Sequence, residues 1–370
     1  MKEHSSDVIF FPEVITYSSD FQKEHLWRCR YTSTNSKSLH YKILLPLNVK
    51  PVSIEPKPID KLHGFYTIGC YQTIPDTEFP FMEIAVIYEF IKNDIDASEW
   101  LDYISLSQGE ETIHHKYYYS VSGKYSDILT KKHSDGNVII SRIRAFKNYD
   151  FERKGVNLIM VKASCSLTSY DFLAEDLLHC VKFFTLINDS EWHLAEELKS
   201  ININSPASYS FYHPASWRYT ERYNNQLMSY HSLIMKKNGL IHGIIDVYFL
   251  CANTAINKEQ FCNLLMDKLK KNSYSAAKDI TLKATINTLN NNIEELWAEE
   301  LEINNSKSGE FMLVVFAGKA QKNWFYLIGS LTQKKKDFKL WATGKRAINI
   351  ILNSLNNYDL IYEDAFYEKP

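Results

Sequence analysis

An α+β fold built twice is what this sequence predicts, each copy an antiparallel sheet packed with helices. Three observations point there. Strand-like runs rich in aromatic and β-branched residues fill each half, a helix interrupts them, and a long helix with one apolar face closes them. The stretch Tyr209-Ser-Phe-Tyr-His-Pro-Ala-Ser-Trp217 restarts in the second half a pattern that Tyr41–Pro46 opens in the first. At 370 residues the chain exceeds one ordinary core, and a prior of roughly 150 residues per domain gives two. The division falls into a first domain at 1–190, carrying an N-terminal extension, and a second at 191–370.

The first half opens on a short apolar segment, Val8–Tyr17, and a polar loop, Ser33–Ser38. Strands are expected over Leu39–Pro46, Phe65–Thr73 and Phe81–Ile91, with the prolines between them excluding helix. Ser98 is placed to cap a helix through Trp100, Leu101 and Ile104. Four more strands follow, Ile113–Val121, Tyr125–Thr130, Val138–Phe146 and Val156–Leu167, with Ser134-Asp-Gly136 as a tight turn. A helix over Tyr170–Leu186 ends the half.

A short helix and linker are expected over Ser190–Ile203, and then the order repeats. Tyr209–Pro214 matches Tyr41–Pro46, Gly243–Leu250 matches Glu83–Phe90, and a helix at Asn257–Lys271 takes the place of Ser98–Leu106. The closing strand and helix, Asn323–Thr332 and Lys336–Leu355, superpose on the first half at a constant offset of 166, pairing Ser164 with Ser330, Asp171 with Asp337 and Phe172 with Phe338. Ile293–Ile303 has helical propensity, but its match to Val138–Phe146 favours strand.

Hydrophobic residues make up 45% and charged residues 23%, enough for packed cores and against disorder. The net charge of −2 removes the basic footprint of a nucleic-acid binder. Six dispersed cysteines without a C-x-x-C pair argue against a disulfide framework. There is no signal peptide pattern and no run of about 18 apolar residues, so we expect a cytoplasmic protein that does not insert into a membrane.

No catalytic motif stands out. Glu110-Glu111, Glu294-Glu295 and Glu299-Glu300 read as solvated faces, and His114-His115 on one strand should point to opposite sides of the sheet. His193-Leu-Ala-Glu-Glu197 lacks the second histidine that zinc needs, and Gly123-Lys124 lacks the glycine of a phosphate loop. No cofactor or metal is expected, and the chain reads as a non-enzyme. The enzyme alternative, a hydrolase with a site around His213 or His231, stands third.

Pro214-Ala-Ser-Trp217 after an opening strand, a meander, a helix, further strands, and a final helix after Ile328-Gly-Ser-Leu-Thr332 resemble the PsbP-like fold, here as two tandem domains. The first copy has Pro46-Leu-Asn-Val49 where the tryptophan would stand. Among PsbP-like proteins the pattern is similar to the Eag chaperones of type VI secretion. That resemblance implies a non-enzymatic chaperone or adaptor cradling hydrophobic helices of a secreted effector, with both halves of a pseudo-dimer in one chain.

Asn323–Ile328 and Phe311–Phe316 carry bulky residues on both strand faces, so each is either covered on both sides or offers an apolar surface. From these and a neighbouring strand the residues assigned to a protein partner are Ile244, Val247, Phe249, Met312, Val314, Phe325 and Leu327. The alternative is an immunity or structural protein that binds a folded partner surface through a polar rim.

Overall fold

The structure is a computed structural model that describes residues 9–53, 58–60, 64–75, 78–120, 123–134, 136–205, 207–251, 256–276, 278–284, 290–305, 309–320 and 323–356. Contacts divide the chain into two compact units. The first draws on Met1–Lys92 and Asp96–Ala195, the second on Asn93–Ile95 and Glu196–Ala365.

The first unit runs α1 (Ser19–His25), β1 (Leu26–Tyr31), β2 (Tyr41–Pro46), β3 (Val49–Pro51), β4 (Pro58–Asp60), β5 (Phe65–Thr73), β6 (Met82–Ile91), α2 (Ala97–Ser107), β7 (Glu111–Ser120), β8 (Gly123–Ser134), β9 (Asn137–Asp150), β10 (Gly155–Ser166), α3 (Leu167–Lys182) and β11 (Thr185–Leu186). Its main sheet has the order β3-β5-β6-β10-β9-β8-β7, with β4 on β5, and a small sheet has the order β1-β2-β11. Every pairing is antiparallel.

Alternation along β10 sends Ile159, Val161, Ala163 and Cys165 to one face, where they meet Leu173, Leu177 and Val181 of α3. The other face lies under α2, whose buried Trp100 donates its indole N–H to Glu89 at 2.7 Å. The helix begins at Ala97 with Asp96 in the cap position, so Ser98 lies inside its first turn rather than capping it.

The second unit runs β12 (Leu198–Ile203), β13 (Tyr209–Pro214), β14 (Trp217–Asn224), β15 (Met228–Lys237), β16 (Leu240–Leu250), α4 (Lys258–Lys271), β17 (Tyr274–Ala276), β18 (Lys283–Ala284), β19 (Ile293–Asn305), β20 (Gly309–Ala320), β21 (Asn323–Leu331) and α5 (Phe338–Ser354). Its main sheet has the order β14-β15-β16-β21-β20-β19-β17, with β18 on β19, and β12 pairs β13. The order matches that of the first unit strand for strand. The fold is therefore α+β, an antiparallel sheet with helices, laid down twice. Asn257 caps α4 in a reciprocal box with Gln260, and Asn238 and Gly239, both at positive φ, turn the β15–β16 hairpin.

The register refines the repeat. Val161 pairs with Val86 and Arg144, while Leu327 pairs with Val247 and Phe316. Aligning β10 with β21 at 166 puts Phe325, Leu327 and Leu331 on the α5 side, as Ile159, Val161 and Cys165 are on the α3 side. Glu83 then corresponds to Ile244, not Gly243, so the expected match of β6 to β16 was one residue off. A one-residue slip exchanges the two faces.

The offset of 166 fails at the closing helix. Phe172 is 64% exposed within α3, whereas Phe338 is 5% exposed and begins α5. The turns between Leu331 and Phe338 are an insertion that β10 and α3 lack. Ile293–Ile303 is strand, as expected, but it matches β8, and the partner of Val138–Phe146 is β20. Ser190–Ile203 holds no helix, since Leu198–Ile203 is β12, paired to β13 from Leu198↔Pro214 to Ile203↔Tyr209.

Candidate functional site: an aromatic edge and a strapped sheet face

Six of the seven residues assigned to a partner do come together, but in the core of the second unit. Val247, Phe249, Val314, Phe325 and Leu327 are buried in one cluster with Ile348 and Ile351 of α5, and Met312 packs against it. Ile244 lies apart from them on β16, half-buried and on the opposite face by alternation. Side chains closed under α5 offer no surface to another molecule. The other side of the same strands is covered too: Phe261 of α4 stacks on Tyr326 at 3.9 Å, and Leu265 and Leu269 meet Leu313, Val315 and Ile328. Of the two alternatives for these bulky strands, cover on both faces is the one observed.

The histidines of the enzyme alternative stand on different strands. His213 donates Nδ1–H to the Pro214 carbonyl at 2.9 Å, and the His231 Nδ1 lies 2.8 Å from the Tyr219 hydroxyl. Burial pushes both imidazoles below their ordinary pKa. Glu110 is not solvated: it is buried, pairs with Lys162 and accepts from Thr130 at 2.7 Å. Glu299 is likewise buried beside Lys278, while Glu295 and Glu300 remain at the surface with Lys319 and Lys345. Among the described residues no group of three or more His, Cys, Asp or Glu side chains is placed to hold a metal ion. No described helix is long and apolar enough to cross a membrane.

Two features of the first unit have the chemistry of recognition. The first is β7, the strand that ends the main sheet. On its α2 side the His115 and Tyr117 rings meet tilted at 36° with centroids 3.8 Å apart, and Tyr119 follows at 6.4 Å from Tyr117. The Lys124 ammonium sits 3.4 Å over the Tyr117 ring. Tyr117 is 40% and Tyr119 37% exposed.

Burial first, then Asp102 and Glu99 of α2, push the Tyr117 hydroxyl up to about 12. Burial and then Lys124 push His115 down to about 4. His115 is therefore neutral at pH 7, and its 3.8 Å approach to Asp102 is a dipolar contact rather than an ion pair. The strand thus presents amphipathic tyrosine rings, a side chain enriched at protein interfaces, with charged neighbours at their margin.

The second feature is a strap. Residues 9–17 lie against the α3 side of the sheet, where Ile9 and Phe11 pack on the core. His114 Nε2 donates to the Ile9 carbonyl at 2.7 Å, the Tyr170 hydroxyl to the Phe10 carbonyl at 2.6 Å, and Arg142 Nη1 to the Pro12 carbonyl at 2.5 Å. At the far end Glu175 accepts from the amides of Thr16 and Tyr17. Adjacent His114 and His115 thus face opposite sides of the sheet, as the sequence predicts.

Arg142 is held for this task. Its Nε and Nη2 donate to the buried Asp127 at 3.1 and 2.9 Å, and Arg144 adds a third donor at 2.7 Å. The same guanidinium lies 4.2 Å from the centroid of the Phe11 ring. By sheet register, the second unit has Ala298, Val314 and Phe316 at the positions of Asp127, Arg142 and Arg144. The apolar run Val8–Tyr17 was visible in the sequence, but its role was missed because its donors come from three distant elements, β7, β9 and α3.

No family model matches the sequence, and no curated protein matches it. Among solved structures the chain is similar to the cyanobacterial PsbP protein CyanoP from Synechocystis sp. PCC 6803, at 15% identity and a TM-score of 0.32, covering 44% of this chain and 92% of that one. It is also similar to LpqN, involved in cell envelope biogenesis of Mycobacterium tuberculosis, at 10% identity and a TM-score of 0.32, covering 46% of this chain and 96% of that one. The third is the immunity protein TplEi of the type VI secretion system of Pseudomonas aeruginosa, at 10% identity and a TM-score of 0.21, covering 88% of this chain and 98% of that one.

Proposed function

We propose that the chain is a non-enzymatic protein-binding protein whose first unit engages a folded partner through the aromatic edge at β7. One observation carries the reading: Tyr117 and Tyr119 stand half-exposed on the last strand of the sheet, braced by Lys124, His115 and the acidic side of α2. Tyrosine contributes large contact area with few rotors, and a sheet edge adds main-chain pairing.

The finer form of the proposal is a cytoplasmic chaperone or adaptor for a secreted effector, which rests on the resemblance to PsbP-like chaperones. Burial of five of its seven assigned contacts, with Met312 packed against them, removes the apolar groove first given to it, so the surface supports the folded-partner form instead. The test is capture of partners from the native cell with tagged wild-type chain and with the Tyr117→Ala/Tyr119→Ala variant. We expect at least a tenfold loss of the captured protein with the variant at unchanged thermal stability. Equal recovery by both chains contradicts the assignment of the site.

A further inference from the structure

We propose that the sheet face beneath residues 9–17 is a peptide-binding site, one that takes from a partner protein an extended aromatic segment ending in proline and that the chain's own segment occupies here. The site lies on the face of the sheet opposite to Tyr117 and Tyr119, so it goes beyond the aromatic edge. Its donors address main chain: the carbonyls of Ile9, Phe10 and Pro12 each receive a side-chain hydrogen bond from the body of the unit. Main-chain recognition of this kind reads the shape of a segment and leaves its sequence largely open.

Side-chain selectivity centres on Phe11, with Ile9 packed on the core before it and Tyr17 stacked on His179 at the far end. Phe11 lies between the His114 ring, stacked at 5.5 Å and 13°, and the Arg142 guanidinium at 4.2 Å. The buried Asp127 fixes the plane of that guanidinium, which leaves Nη1 aimed at the carbonyl of the following proline. Exposure along the segment follows a strand-like alternation at its ends, with Ile9, Phe11, Ile15 and Tyr17 turned inward and Phe10, Val14 and Thr16 outward. An aromatic residue before proline is therefore the feature an incoming segment must supply.

The second unit sharpens the point. The same register positions there are the apolar Ala298, Val314 and Phe316, of which Val314 is buried in the core under α5 and Phe316 packs against it. Buried charge is costly to assemble for packing alone, since apolar residues fill such positions as well or better. Its retention under the segment fits a site built to hold a backbone.

The experiment uses full-length protein and a fluorescent peptide of residues 8–18 as the probe. In the wild-type chain the tethered segment competes at an effective concentration of order mM, which weakens apparent binding of the probe. Phe11→Ala in the chain weakens that competitor, so the probe should bind this variant at least tenfold more tightly than wild type. A probe carrying the same alanine should lose that gain. Ile9→Ala in the chain, which removes the segment's other core-packed side chain and leaves the site intact, serves as a second variant should Phe11→Ala fold poorly. Tyr117→Ala/Tyr119→Ala should leave probe binding unchanged, which separates this site from the edge at β7. Equal binding to wild type and both variants, or none to any, overturns the proposal. A concentration-dependent dimer that Phe11→Ala abolishes also overturns it, in favour of segment exchange between copies.

Discussion

The two units share one strand order and reach it with different interiors. Register places Val49 where the second unit has Trp217, and Met82 where it has Gly243. All three side chains are buried, and a Cβ built on Gly243 would lie 2.7 Å from the Trp217 ring. Large-with-small in one unit replaces medium-with-medium in the other, so the volume at this spot is kept while the shapes change. Elsewhere the exchange is one of chemistry. Asp127, Arg142 and Arg144 form a buried charge cluster under a strap, whereas Ala298, Val314 and Phe316 are apolar, and Val314 and Phe316 join the core under α5. A duplicated fold tolerates both because topology is carried by the alternation of the strands, and the identity of any one core group is secondary.

That contrast is open to attack at its most charged point. Asp127→Ala strands the buried Arg142 beside Arg144, and loss of one partner from a buried ion pair costs about 3–5 kcal/mol. Native-state hydrogen exchange, read separately in β9–β10 and β20–β21, should show the loss in the first unit alone. Transplanting the whole second-unit set, Asp127→Ala with Arg142→Val and Arg144→Phe, should recover most of it. Recovery of nothing would mean the two faces are not equivalent.

The strap's far end gives a pH dependence. Asp176 is buried beside Glu175, with the Tyr17 hydroxyl, His25 and Cys180 as its other titratable neighbours. Burial first, then Glu175, push its carboxyl up to about 7. The folded first unit therefore holds a proton that the unfolded chain releases near pH 4, and this group's contribution is full below that pH and lost as pH rises through 7. The slope is worth up to about 4 kcal/mol. Asp176→Asn should flatten it, leaving the variant more stable than wild type at pH 8; an unchanged profile by denaturant titration at pH 5 and pH 8 would refute the assignment.

Much of this architecture was legible in advance. Aromatic and β-branched alternation marked most of the strands, Asn257 marked a helix start, and Pro46 and Pro214 aligned the openings well enough to set Val49 against Trp217. What failed has a physical cause in each case. Where both faces of a strand are buried, hydrophobicity no longer distinguishes them, so β6 was slipped by one against β16, and five core residues passed for a surface. Adjacent long hairpin strands look alike, which displaced β19 by one strand. The insertion before α5 left no periodic signal. Residues 9–17 form no helix or strand, and the side chains that bond the Ile9, Phe10 and Pro12 carbonyls lie 105 to 160 residues away in sequence, so little local announced the strap.

The claim that one structural unit is used twice with compensating interiors is tested most directly by a double-mutant cycle at Trp217 and Gly243. Gly243→Met alone should destabilise the second unit by about 1–3 kcal/mol through overpacking against the indole. Adding Trp217→Val recreates the Met82 and Val49 pair of the first unit and should restore at least about 1 kcal/mol, a coupling within the range seen for residues in contact. A double variant as unstable as the sum of its singles would contradict the equivalence of the two units.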